Sequence, residues 1–134
     1  MDKLLKIIFL TILVGCGKSS EQIDKITIYY LPENVQTQIS VDCDGHIFRH
    51  YNLLNDTLID SQDKIDLIEK QLEQLKPVAD DYGVDVRIHA YIDYVDNSLD
   101  IDTICFDKFG HIIFNGEKKK NNPELFEIFR ETVW

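Results

Sequence analysis

Residues 84–94 alternate between two characters: Val84, Val86, Ile88, Ala90, Ile92 and Tyr94 fall on one parity, and Asp85, Arg87, His89, Tyr91 and Asp93 on the other. Successive side chains of an extended strand point to opposite faces, so a period of two commits this stretch to a half-buried β-strand. A second run has the same period, with Val35, Thr37, Ile39, Val41 and Cys43 set against Gln36, Gln38, Ser40 and Asp42. It predicts another strand with Cys43 on its core side. Asp44 and Gly45 suit a two-residue hairpin turn, in which both residues need positive φ, so a strand over 46–54 should return beside it. Shorter strands are expected over 26–31, 99–106 and 111–116.

Two segments carry the helical period instead. Ile65, Ile68, Leu72 and Leu75 line one face of a helix expected over 61–76, capped by Asp60 or Ser61 and closed by Pro77, while Asp66, Glu69, Lys70 and Glu73 take the other faces. Asn122 and Pro123 open a terminal helix whose Leu125, Ile128, Phe129 and Val133 should pack inward. The predicted order is βββαβββα: an α+β domain of about six antiparallel strands with both helices on one face of the sheet. GHIF at 45–48 and GHIIF at 110–114 each follow a turn and suggest an internal duplication. Shared turn chemistry accounts for the likeness equally well.

At the N-terminus, Lys3 and Lys6 precede an apolar run over 7–14 broken only by Thr11, and Gly15, Cys16 and Gly17 follow. A charged start, a short apolar segment and small residues make an export signal. The run is too short for the roughly 20 residues of helix that cross a bilayer. Leu13, Val14, Gly15 and Cys16, reading LVGC, resemble the lipobox of bacterial lipoproteins. The resemblance covers the signal alone. It implies a thioether-linked diacylglycerol on Cys16 and cleavage before it, which makes 1–15 a signal peptide, 16–23 a lipidated cysteine with a polar tether, and 24–134 one domain. The covalent lipid on Cys16 is then the only attached group expected, with no other cofactor and no metal. The resemblance also implies anchorage to a membrane in the cell envelope. Because Gly17 rather than aspartate follows the cysteine, it favours the outer membrane in a diderm bacterium.

Acidic residues number 24 against 14 lysines and arginines, a formal net charge of −10. Loss of Asp2, Lys3 and Lys6 with the signal brings it to about −11. That sign repels nucleic acid and anionic headgroups and favours cations or a basic protein; charge that serves solubility alone is the plainer alternative. The charge is densest over 80–107, where Asp80, Asp81, Asp85, Asp93, Asp96, Asp100, Asp102 and Asp107 face only Arg87. Asp93, Asp96, Asp100 and Asp102, at the joint between two strands, are the candidate residues for a basic partner or a cation. Their spacing matches no EF-hand loop, and a hairpin turn explains DCDG at 42–45 without a metal. Charge at that joint would also guard a sheet edge.

With Cys16 set aside, Cys43 and Cys105 remain, either bridged or as two buried thiols. A bridge would close a long loop, worth about 4 kcal/mol. A zinc site from Cys43, His46, Cys105 and His111 is disfavoured by unequal spacing and by strand parity, and the same objection weakens a Cys and His catalytic pair, since a reactive thiolate needs an accessible electropositive setting and these cysteines read as buried in an acidic protein. His50 and His89 read as ordinary sheet residues. GxSxG, HExxH, CxxC and phosphate-binding glycine loops are all missing from the sequence, and no carboxylate pair stands in an apolar context, so the chain is expected not to be an enzyme. The leading expectation is an envelope lipoprotein with an acidic binding domain, an inhibitor or immunity-like binder of a cationic protein. The alternatives are an accessory or structural envelope lipoprotein without a dedicated ligand, and then a cation-binding domain.

Overall fold

The computed structural model describes residues 22–44, 54–79, 81–96 and 100–134. Six strands form one sheet: β1 (Ile23–Tyr30), β2 (Asn55–Ile59), β3 (Ile88–Tyr94), β4 (Asp102–Phe106), β5 (Ile112–Phe114) and β6 (Glu117–Lys119). They lie in the order β2-β1-β3-β4-β5-β6, and every neighbouring pair is antiparallel. Helices α1 (Gln62–Leu72) and α2 (Pro123–Val133) pack against the sheet. The architecture is α+β, as expected, and the described elements follow one another in the order ββαββββα. Among the described residues, two strands precede α1 and four lie between α1 and α2.

The helix-facing core is built by alternation. Ile26 and Ile28 on β1, Ile88, Ala90 and Ile92 on β3, Ile104 and Phe106 on β4 and Ile112 on β5 meet Ile65 and Ile68 of α1 and Leu125 and Phe129 of α2. Both helices start on a side-chain cap that satisfies a free N–H: Lys64 N donates to Ser61 Oγ at 3.4 Å, and Leu125 N to Asn122 Oδ1 at 3.0 Å. The end of α2 is tied to β1, where Trp134 Nε1 donates to the Leu31 carbonyl at 3.0 Å.

The expected strand over 35–43 is corrected: this stretch joins no ladder. β1 is paired on both sides, by β2 and by β3, so no edge beside it is left for 35–43. The segment lies instead on the face opposite the helices, where Leu31, Val41, Val84, Val86 and Cys105 form a second cluster. Val86 N donates to the Val41 carbonyl at 2.8 Å and Val41 N to Asp85 Oδ1 at 2.9 Å. The buried Arg87 fixes the segment through Asp85 Oδ2 at 2.5 Å and Thr37 Oγ1 at 3.2 Å. The long strand over 84–94 shortens to β3 for the same reason: Val84 and Val86 serve the second cluster, whereas Ile88 serves the first. The chain changes sides at Arg87. The strand expected over 46–54 and the GHIF motif at 45–48 lie outside the described residues, except for Leu54.

Asp107 organises the turn from β4 to β5. Its buried carboxylate accepts from Phe109 N and His111 N, both at 2.9 Å, and meets His111 Nδ1 at 2.6 Å. Gly110 closes this turn at φ +86°, where a Cβ would come within 2.9 Å of Phe126 Cδ1. Left-handed strain and a core clash act together in Gly110→Ala, which should lose about 1 to 3 kcal/mol. A lowered urea midpoint with unchanged m-value checks this.

The sheet edges are β2 and β6, and both are charged or polar: Asn55 and Asp56 on one, Glu117, Lys118 and Lys119 on the other. The acidic joint between β3 and β4 sits at the end of a central strand pair, so its charge guards no edge, contrary to expectation. Among the described residues, no helix is long and apolar enough to cross a membrane.

Candidate functional site

Cysteine chemistry lies on the sheet face away from the helices. On β4, Ile104 and Phe106 point to the helix side, so Cys105 and Thr103 point to the other. Across the β3–β4 pair, His89 is the register partner of Cys105, and Tyr91 that of Thr103. Cys43, which is not in a strand, comes over this face from the covering segment and is bridged to Cys105, with a Cα separation of 5.9 Å. Cys105 is fully buried and Cys43 half-buried. A ring nitrogen of His89 and the two Sγ atoms all lie within 4.8 Å of one another. A cavity of about 310 Å³ opens beside them, lined by Cys43, Asp44, His89, Tyr91, Thr103, Asn115 and Gly116.

Covalent lipid was the one attached group expected, and the folded domain corrects that expectation: Cys43 and Cys105 are bonded to each other, so neither described cysteine has a thiol to carry a thioether. Cys16 lies outside the described residues. Of the four-ligand zinc set, His111 is engaged by Asp107 and packs at a tilt against Tyr82 with ring centroids 4.7 Å apart, and His46 lies outside the described residues. The histidine beside the sulfurs is His89, which linear spacing could not reveal. Its proximity to Cys105 comes from the register of two adjacent antiparallel strands.

The four candidate aspartates separate into two kinds. Asp102 is a structural residue: Tyr94 donates its hydroxyl to Asp102 Oδ2, and Asn115 Nδ2 donates to Asp102 Oδ1 at 2.8 Å. The same Asn115 accepts from Thr103 N at 2.8 Å, which locks the start of β4 to the β5–β6 turn. Asp93, on the opposite parity to Ile92 and Tyr94, faces the other side of the sheet. Asp96 and Asp100 are exposed beyond the strand ends. Among the described residues, Asp93, Asp96 and Asp100 enter no ion pair and no side-chain hydrogen bond. Val95 and Ile101 beside them are 55% and 52% exposed, an apolar element that the acidic pattern concealed.

Two further features have structural explanations. A larger cleft of about 680 Å³ runs between the end of α1 and the start of α2. Its buried amide, Gln71, is bonded at both ends, to Glu124 Oε2 at 2.6 Å and from Asn122 Nδ2 at 3.0 Å, so it joins the two helices. On α2, hydrogen bonds from Arg130 hold Glu127 below the ordinary carboxylate range. This is an exposed pair one turn apart, of the kind that contributes little to stability.

Comparison with family models, curated proteins and solved structures finds no match to the chain.

Proposed function

We propose that this protein is an exported acidic binding domain of the cell envelope that docks a cationic protein, as an inhibitor or immunity-like binder does. The observation that carries this reading is the end of the β3–β4 pair. There, Asp93, Asp96 and Asp100, which enter no ion pair among the described residues, are near in sequence to exposed Val95 and Ile101, and Asp102 stiffens the start of β4. Carboxylates whose charge is not consumed internally steer a basic partner and fix its orientation, and apolar side chains among them supply the contact that excludes water. The Cys43–Cys105 bridge supports the exported address, since disulfides persist in oxidising compartments.

The test is affinity capture from envelope extract, comparing the protein with its Asp93→Asn, Asp96→Asn, Asp100→Asn triple variant. Asp102 stays intact because its bonds hold the fold. A partner of basic character should bind the wild type, release as salt rises, and bind the variant about tenfold more weakly, equivalent to about 1.4 kcal/mol. A control variant altered at Asp56, Asp60 and Asp63 should bind like the wild type. Recovering no partner with either the wild type or the variants would remove this reading in favour of an accessory envelope domain.

A further inference from the structure

We propose that Cys43, Cys105 and His89 form, once the bridge is reduced, a three-ligand site for a thiophilic d¹⁰ cation such as Zn²⁺. The inference is independent of the docking surface at the end of the β3–β4 pair. Two thiolates and an imidazole are the donor set that such cations prefer, and three protein ligands with one open position is an established coordination pattern for zinc. With Zn–S bonds of about 2.3 Å, tetrahedral geometry places two sulfurs about 3.8 Å apart. The three ligand atoms already lie within 4.8 Å of one another, so the two sulfurs need only part from their bonded distance to admit an ion. Cys105 and His89 are register partners on adjacent central strands, so the backbone ladder sets the spacing of two of the ligands. Cys43 and His89 both line the 310 Å³ cavity, so the fourth position opens towards Asp44, Tyr91, Thr103 and Asn115, with room for water. A formal net charge of −10 adds a favourable field for a cation.

The chemistry proceeds in two balanced steps. A dithiol reductant attacks the half-buried Cys43 Sγ as its thiolate, the Sγ–Sγ bond breaks, and the electron pair leaves on Cys105. The second thiol of the reductant then attacks the mixed disulfide, which releases Cys43 and leaves the reductant oxidised to its own disulfide. A divalent ion next displaces one proton from each cysteine and takes a lone pair from His89. Either the bond or the ion ties the covering segment to the sheet.

Titrating the protein with Co²⁺ as a visible reporter, then displacing it with Zn²⁺, tests the site in both redox states. The phosphine-reduced protein should bind one equivalent with a thiolate-to-metal charge-transfer band, and the oxidised protein should show none. His89→Gln should weaken Zn²⁺ binding at least about tenfold when reduced. In wild-type protein the His89 imidazole resonances should shift on Zn²⁺ addition, a readout that survives if the variant does not fold when reduced. Equal binding by the oxidised protein would overturn the proposal. So would unmoved His89 resonances, or a reduced protein that takes up no ion.

Discussion

Replacing both Cys43 and Cys105 with alanine lowers the unfolding free energy by about 4 kcal/mol and the melting temperature by roughly 15 °C. The magnitude follows from the loop the bridge closes, 62 residue steps from one end to the other, because the cross-link removes conformations from the unfolded chain that the native state never uses. A domain of this size is stable by only about 5 to 15 kcal/mol, so the change is large on that scale. The loss should also be uneven. The covering segment is held by the bridge, the Arg87 contacts and two hydrogen bonds from and to Val41, whereas the helix-facing core does not touch the sulfurs. Urea titration gives the free energy, and limited proteolysis should show cleavage within 33–40 before any within the sheet. A loss below about 1 kcal/mol would mean that the unfolded chain stays compact without the bridge.

Phe106→Ala is the second large effect, a loss of about 3 to 5 kcal/mol. Phe106 is fully buried on β4, between register partners Ile88 and Ile112, with its ring 4.9 Å from Phe129 and 5.7 Å from Phe126. Removing it opens a void where β4 meets α2, and rigid neighbours on two strands leave little scope for collapse. Phe109, three residues on and 69% exposed, supplies the control. Phe109→Ala should stay within about 0.5 kcal/mol of wild type. Equal urea midpoints for the two variants would show that α2 does not pack on β4 in solution.

What the sequence made legible follows from which forces are local. The helices were readable at Ser61 and Asn122 because caps and apolar stripes act within a few residues. β3 was readable from alternation. The run over 35–43 carries the same alternation and forms no strand, because period two reports that one face is buried and says nothing about whether a free edge exists to pair with. β6 had the opposite problem. Glu117, Lys118 and Lys119 have no strand-like composition, and they extend because β5 pairs with them on one side and Pro77 and Val78 lie along the other. Among the site residues, the carboxylates at Asp93, Asp96 and Asp100 were visible as composition. The bonds that make Asp102 structural, the exposure of Val95 and Ile101, and the meeting of His89 with two sulfurs all depend on register. Register is set by distant partners, so no window of sequence contains it.

The disulfide divides the chain in a way that the sheet conceals. Everything from Cys43 to Cys105, which includes β2, α1, β3 and most of β4, lies inside one covalent ring, while β1 sits between two strands of that ring and is joined to them by hydrogen bonds and packing alone. Tension applied at the two ends therefore bypasses the ring and falls on β1, β5, β6 and α2. Sixty-two residue steps, at about 3.4 Å each, withhold roughly 200 Å of contour length until the bridge is reduced. A protein drawn out from its ends would surrender its first strand and last helix while its middle remained a closed loop, and the redox state of one sulfur pair would set how far it could extend.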